Sequence, residues 1–460
     1  MTTLNEIRVV NKAGLDQKKY TVWVAGFMQD ATSRSNFYIL RTDGQFAKTT
    51  GATKVPFLNV NSGLTILVPN VTNSGNNRLV FTVTKASTTP QDYPLIGYTA
   101  YPFPGVPGAS PPGPYDIFEF GPNAQYDVSA VDSFGINLSF TVSGDSSTYG
   151  VVPSVARNLV GSAFESFTQN DPYGSAFAQL LYTSPGGEGY PEQIEGEFSA
   201  IVSPKDWLAI YPSASGLTGY WTDTVDSFFK TGNQLSFYLN GATVGTYHGT
   251  SDGTQYTLTG PESLEITIPK SDFAGNQPFI QAVRGPNSGE SSKEYAAFGQ
   301  IEAAIFEAFS RGVALDGVNN TTSASPIPPN YSSDAWTNTA NWFTNHRNTY
   351  DGQPSVYDVY AKFFHYSCVQ GKVGGENIFG KNSKGIFGMA YGFSLDENPN
   401  VGSTALGIPP GSWPDSENVP SKTPGNVRSG QTVTLTIGPW MDSLLRKLAC
   451  GPEDGVLRRG

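Results

Sequence analysis

Acidic side chains carry the clearest chemistry in this sequence, and they gather in one stretch, YDIFEFGPNAQYDVSAVDSFGINL at residues 115–138. Glu119 and Asp132 stand there on neighbouring strand-like runs with only a short turn between them. A pair of carboxyl groups held near each other, one giving a proton and the other activating water, is the minimal machinery for hydrolysing a glycosidic bond. In the first run Phe118 and Phe120 alternate with Ile117 and Glu119, a period-two pattern that sends both phenylalanines into a core and Glu119 to the other face. Gly121, Pro122 and Asn123 then supply turn chemistry. In the second run Val128, Ala130 and Asp132 share one face, while Asp127, Ser129 and Val131 share the other. On a regular sheet only one of the two aspartates can face Glu119, and the register decides which.

The elements that must hold these carboxyls are mostly strands. Residues 4–90 read as a succession of short strands, IRVVN, YTVWVAGF, NFYILRT, LTILVPN and RLVFTVTK, separated by Gly, Asn, Asp and Ser clusters, a spacing that predicts a β-sandwich. The Pro- and Gly-rich passage from Tyr93 to Pro114 reads as a long loop leading into the acidic segment. After the strand INLSFTVSG the pattern changes. PSVARNLVGSAFESFTQ and DPYGSAFAQLLY read as two helices, the second from an Asp-Pro start. Strands return over 197–270, with a possible helix at DTVDSFF between them. In KEYAAFGQIEAAIFEAFSRG the residues Phe298, Ile301, Ile305 and Phe309 form a core-facing helical stripe that Gly312 terminates. Residues 313–356 are polar and aromatic and read as a long surface loop carrying Trp336, Trp342 and Tyr350. The fold class expected is therefore mainly β with an α+β part. Its divisions are a β-sandwich domain at 1–150 with strands returning near 385–438, a mixed α/β domain at 151–384, and a tail at 439–460.

Composition narrows the function. The formal net charge is −11 and no basic stripe is present, which argues against nucleic acid and anionic membranes as partners. Neutral polymers remain open as substrates. Only 15% of the residues are charged and 33 are proline, a profile of a β-rich extracellular protein. The opening MTTLNEIRVV has no apolar h-region and no run reaches the length of a membrane span, so the expectation is a mature form of an exported protein. Cys368 and Cys450 do not make a disulfide framework, and His248, His346 and His365 are too scattered for a metal site. No cofactor is expected. Oligomeric state is not legible. Sugar rings stack on aromatic faces, which makes Tyr220 and Trp221 of TGYWTD, together with Trp336 and Trp342, the aromatic candidates for substrate contact.

Several motifs in order resemble a known family. The strands IRVVN, YTVWVAGF and RLVFTV look like the opening of thaumatin-like domains. FEF at 118–120, DVSAVDSFGINLSF at 127–140, FSRG at 309–312, the helix YDVYAKFFHYSCVQGK and YGFSLDE at 391–397 resemble the laminaripentaose-producing β-1,3-glucanases, glycoside hydrolase family 64. The matches span about residues 5–438. The resemblance implies a thaumatin-like sandwich or barrel domain joined to a mixed α/β domain across a wide groove. It further implies endo-type hydrolysis of β-1,3-glucan by inversion, with Glu119 as general acid and Asp132, rather than Asp127, as general base. Tyr126 and Asp127 then fall among the substrate contacts with Trp221, Trp336 and Trp342. The chain departs from the pattern at Gly121, which stands where the family has threonine, and in the interval from 119 to 132, which lacks tryptophan. A non-catalytic glucan-binding or assembly protein on the same scaffold is the alternative.

Overall fold

The computed structural model describes residues 2–33, 35–95, 113–124, 126–130, 132–146, 148–151, 153, 155–182, 199–239, 244–280, 289–320, 331–332, 334–338, 341–365, 372–373, 376–377, 391–392 and 427–441. The expectations for most of the Pro-rich passage, for YGFSLDE beyond Gly392, for both cysteines and for nearly all of the tail concern residues outside this set.

The chain is mainly β, with helices concentrated after residue 156. Two open sheets form the first layer pair. The smaller one has five strands in the order Tyr149–Gly150, Leu138–Val142, Thr432–Ile437, Thr3–Asn11, Leu64–Pro69. Thr432–Ile437 runs parallel to Thr3–Asn11 and antiparallel to Leu138–Val142, so a strand from far along the chain sits between two early ones. The larger sheet runs Tyr391–Gly392, Asp127–Ser129, Tyr115–Glu119, Asn73–Lys85, Tyr20–Asp30, Asn36–Leu40, Phe46–Thr50. The alternating residues Ile7, Val9, Ile66, Val68, Leu435 and Ile437 from one sheet, and Val22, Val24, Leu79, Phe81 and Phe118 from the other, are all buried in one apolar cluster. Neither sheet closes into a barrel. The outer face of the larger sheet carries a second cluster, with Ala25, Phe27, Ile39, Val55, Val80, Tyr93 and Ile117.

The part after residue 156 is built on another five-stranded sheet, Glu265–Pro269, Gln255–Thr259, Gly245–Ser251, Gln234–Leu239, Tyr331–Ser332, packed by the helix Ser292–Arg311. That helix begins with a reciprocal capping box between Ser291 and Glu294 and ends at Gly312, whose φ of 77° is the left-handed cap that glycine adopts without strain. Phe298, Ile301, Ile305 and Phe309 are fully buried, as the stripe predicts. Helices α1 (Arg157–Asn170), α2 (Pro204–Ile210) and α3 (Thr222–Phe228) complete the elements that bear on the site.

Two expectations need correction. DPYGSAFAQLLY forms no α-helix: 3-10 turns at Gly174–Ala176 and Ala178–Leu180 lead into a short strand at Leu181–Tyr182. Asp171 follows the helix Arg157–Asn170: its Oδ1 accepts from Tyr173 N at 2.9 Å in the turn, and its Oδ2 accepts from Tyr357 and Lys362 at 2.8 and 2.6 Å. The 313–356 stretch is also no plain surface loop. A 3-10 turn at Ala314–Gly317 is buried, and Trp336 and Trp342 pack into the core with their indole nitrogens donating to the carbonyls of Ala314 and Trp336. An indole whose single donor finds a backbone carbonyl buries its large apolar area without cost from an unmade hydrogen bond.

Candidate active site

The Tyr115–Glu119 strand is the starting point. Phe118 and Phe120 are buried, and Phe118 meets Phe140 and Tyr126 edge-to-face at 5.2 and 5.7 Å. Burying such a ring contributes on the order of 2–3 kcal/mol, which fixes the strand's rotation and turns Glu119 to the other face. The Glu119 side chain retains 36% of its surface. Pairing places Arg78 of Asn73–Lys85 directly opposite Glu119 on one side and Asp127 on the other. Opposite residues on antiparallel strands share a face, so Arg78, Glu119 and Asp127 form one row across three strands. Arg78 Nε donates to Glu119 Oε1 at 3.0 Å. Arg78 also hydrogen-bonds the Tyr93 hydroxyl, and burial of that phenol pushes its pKa up to about 12.

Asp132 is not on the same strand. The chain leaves the large sheet after Ser129, and Ser133–Phe134 joins a three-stranded sheet beside Ala200–Val202. Asp132 lies at this crossover, its carbonyl accepting from Ser203 N at 2.9 Å. Ser203 is the N-cap of α2, its hydroxyl accepting from Asp206 N at 3.2 Å, with Pro204 at the first helical position. The first turn of α2 therefore delivers Lys205 and Asp206 to Asp132. Lys205 Nζ donates to Asp132 Oδ1 at 2.8 Å, and the Asp206 carboxyl hydrogen-bonds the Asp132 carboxyl.

Electrostatics separate the two aspartates. Burial acts to raise the Asp132 pKa, but the Lys205 cation, with Arg78 behind it, holds it below the usual carboxylate range. Burial, and next the Asp132 charge, push Asp206 up to about 8. At neutral pH the arrangement is an ionised Asp132 receiving one hydrogen bond from protonated Asp206 and one from Lys205. Burial opposes the charge on Lys205, yet Asp132 and Asp206 beside it carry the ammonium above the ordinary lysine range. Arg78 bonds Glu119 directly, and its charge also acts on Asp132 without a bond to it.

A second fastening ties the two halves of the acidic segment together. Asp116 is fully buried and accepts hydrogen bonds from Gly135 N and Ile136 N at 3.2 and 3.3 Å, with burial pushing its pKa well up. A Cβ on Gly135 would stand 2.2 Å from Tyr115 O, so only glycine allows this approach.

Of the remaining site residues named from sequence, Asp127 stays in the row with Glu119, and the four aromatic rings are buried. Asp127 is buried, but it is the residue registered against Glu119. Tyr126 is fully buried, its hydroxyl accepting from Asn5 Nδ2 at 2.6 Å. Trp221 is enclosed by Tyr220, Phe279 and Phe309, and Trp336 and Trp342 lie in the core. None of these four rings presents a face to a sugar in this structure. Arg78, Tyr93, Lys205 and Asp206 were not singled out from sequence. The one local signal was SPKD, a capped helix start bearing adjacent charges of opposite sign. Among the described residues no three His, Cys, Asp or Glu side chains stand together as a metal site.

The family model for beta-1,3-glucanase, glycoside hydrolase family 64, matches residues 3–372, and the chain belongs to that family. Among solved structures the fold is similar to a beta-1,3-glucanase domain (GH64) from Clostridium beijerinckii, at 14% identity and a TM-score of 0.50, covering 95% of this chain and 99% of that one. It is also similar to a laminaripentaose-producing beta-1,3-glucanase in complex with laminaritetraose, at 14% identity and a TM-score of 0.54, covering 96% and 100%. At this identity the likeness speaks to the fold. No curated protein sequence matches the chain.

Proposed function

We propose that this protein hydrolyses β-1,3-glucan by an endo-acting, inverting mechanism, with Glu119 as general acid and Asp132 as general base. The observation that carries the reading is Arg78, which bonds Glu119 at 3.0 Å and whose charge also acts on Asp132. Asp132 is suited to the base: Lys205 and Asp206 keep it ionised and aim it, so that it can take a proton from water as water attacks the anomeric carbon. Glu119, with 36% of its side chain open to solvent, can reach the departing glycosidic oxygen and supply its proton. Inversion calls for roughly 6.5–9.5 Å between the carboxyls, room for one water. Membership of the family supports β-1,3-glucan as substrate, the acidic composition is compatible with a neutral polymer, and we place the site of action outside the cell.

Incubation with laminarin, with product anomers followed by NMR, tests the assignment. Glu119→Gln and Asp132→Asn are each expected to lower the rate about 10²–10⁴-fold, and the first-formed product should be the α-anomer. A rate unchanged by either substitution, or a β-anomeric product, refutes the assignment.

One observation favours a second reading. Glu119 and Asp132 are each already bonded to a cation, an arrangement that a non-catalytic groove could keep for binding alone. Retention on insoluble curdlan with no release of sugar would establish that reading and remove the catalytic one.

A further inference from the structure

The same helix that delivers Lys205 and Asp206 to Asp132 carries a different kind of surface at its far end. Trp207 and Tyr211, one turn apart, have ring centroids 4.7 Å apart at an angle of 44°. Together with Gln179, Ile210, Pro212, Ser213 and Ala214 they line a concave space of about 440 Å³. That volume lies within the range of small-ligand sites, roughly 300–1,000 Å³. Tyr211 is 43% exposed, and it and Val244 are the only large hydrophobic residues left exposed among the described residues. Tyr211 meets Trp207 on one side and still keeps 43% of its surface in water.

Two polar groups of the pocket, on Gln179 and Trp207, are fixed. Gln179 Oε1 accepts from Trp207 Nε1 at 3.1 Å, while Gln179 Nε2 donates to the carbonyls of Ala176 and Ser215 at 2.6 and 2.8 Å. Those bonds lock the indole ring against rotation, so its face is preorganised. No lining residue is charged. Aromatic faces without a charge suit a neutral ligand that has one apolar face and hydroxyls at its rim, which describes a pyranose ring. Position names the occupant: from Lys205 to Tyr211 the helical rise is about 9 Å, so the pocket is within reach of a chain whose scissile bond lies at Asp132.

We propose that Trp207 and Tyr211 form a glucosyl-binding subsite, engaging a ring of the same β-1,3-glucan chain at a distance from the bond being cut. The inference rests on the glucan reading of the carboxylate site. Trp207 supplies the fixed wall, Tyr211 the exposed platform, and the helix couples both to the group that aims the base.

The test compares wild type, Tyr211→Ala and Tyr211→Phe by retention on insoluble curdlan, with cellulose as control, and by kcat/KM on laminari-oligosaccharides of increasing length. Tyr211 is exposed, so thermal unfolding of all three should coincide. Tyr211→Ala should weaken curdlan retention about three- to tenfold, the effect expected for one lost aromatic stacking contact, and Tyr211→Phe should restore it. The loss in kcat/KM should grow with oligosaccharide length. If Tyr211→Ala binds curdlan and cuts long chains as wild type does, the subsite is refuted while the catalytic reading stands. If wild type releases no sugar yet its curdlan retention depends on Tyr211, the catalytic reading fails and the subsite stands. Equal retention of wild type and Tyr211→Ala on curdlan and cellulose also refutes it.

Discussion

Asp206→Asn isolates the proton that the fold keeps beside Asp132. In the folded chain Asp206 titrates at about 8, against an ordinary value of 3.8, with burial the larger cause and the Asp132 charge the next. A carboxyl raised in this way favours the folded state fully only below its unfolded value, and that contribution is lost as pH rises through the folded one. Each pH unit in the window costs about 1.4 kcal/mol, so by pH 7 wild type should have given up on the order of a few kcal/mol that an untitratable side chain would retain. Asparagine has the shape of the protonated acid and can donate one hydrogen bond to Asp132, as Asp206 does. The stability difference between Asp206→Asn and wild type should therefore be flat below pH 4, then grow in favour of the variant by a few kcal/mol toward pH 7. Urea unfolding followed by tryptophan fluorescence at pH 4, 5.5 and 7 measures it. A difference that does not change with pH, or a variant that becomes the less stable partner as pH rises, would mean that Asp206 carries no proton in the folded chain and that the account of the base is wrong.

Other outcomes follow from the same geometry. Lys205→Met removes the cation bonded to Asp132 at 2.8 Å, so the Asp132 pKa should rise, and the acid limb of the kcat/KM profile on laminarin should move up with it; an unmoved limb would exclude Asp132 as the titrating base. Gly135→Ala forces a Cβ to 2.2 Å from Tyr115 O and should cost about 1–3 kcal/mol of stability together with activity, because the Tyr115–Glu119 strand must shift relative to Asp132; a fully stable, fully active variant would show that this contact does not hold the site. Trp342→Ala should cost about 3–5 kcal/mol in denaturant unfolding, since the ring is fully buried and Arg311 lies 4.0 Å over it; a loss confined to glucan affinity would instead make Trp342 a binding residue.

The readable part of the site was the part written in local alternation. Phe118, Glu119 and Phe120 announce their faces because two phenylalanines in a period-two strand leave little choice. Asp132 could not be placed that way. Parity would place it only on a strand continuous from Asp127 to Val131, whereas pairing ends at Ser129 and Asp132 sits where the chain changes sheets. Arg78 lies 41 positions before Glu119, and only strand register joins them. The tryptophans failed for a different reason. Ser, Thr and Asn crowd the sequence around Trp336 and Trp342 and make it look solvated, yet the rings find backbone carbonyls in the core. The large helix and the early strands were legible because their apolar periodicity is long and their caps are conventional.

The position of Thr432–Ile437 has a consequence for how the protein is made. This strand is hydrogen-bonded to Thr3–Asn11 on one side and Leu138–Val142 on the other, so both wait for it from early in synthesis. Until more than 430 residues have left the ribosome, the smaller sheet has a gap at its centre and two raw strand edges, the kind of surface that recruits foreign strands. Such long-range closure is slow, and incomplete chains are exposed meanwhile. A product cut short before residue 432 should therefore be found in aggregates or bound to chaperones, although every acidic residue of the candidate site has already been synthesised.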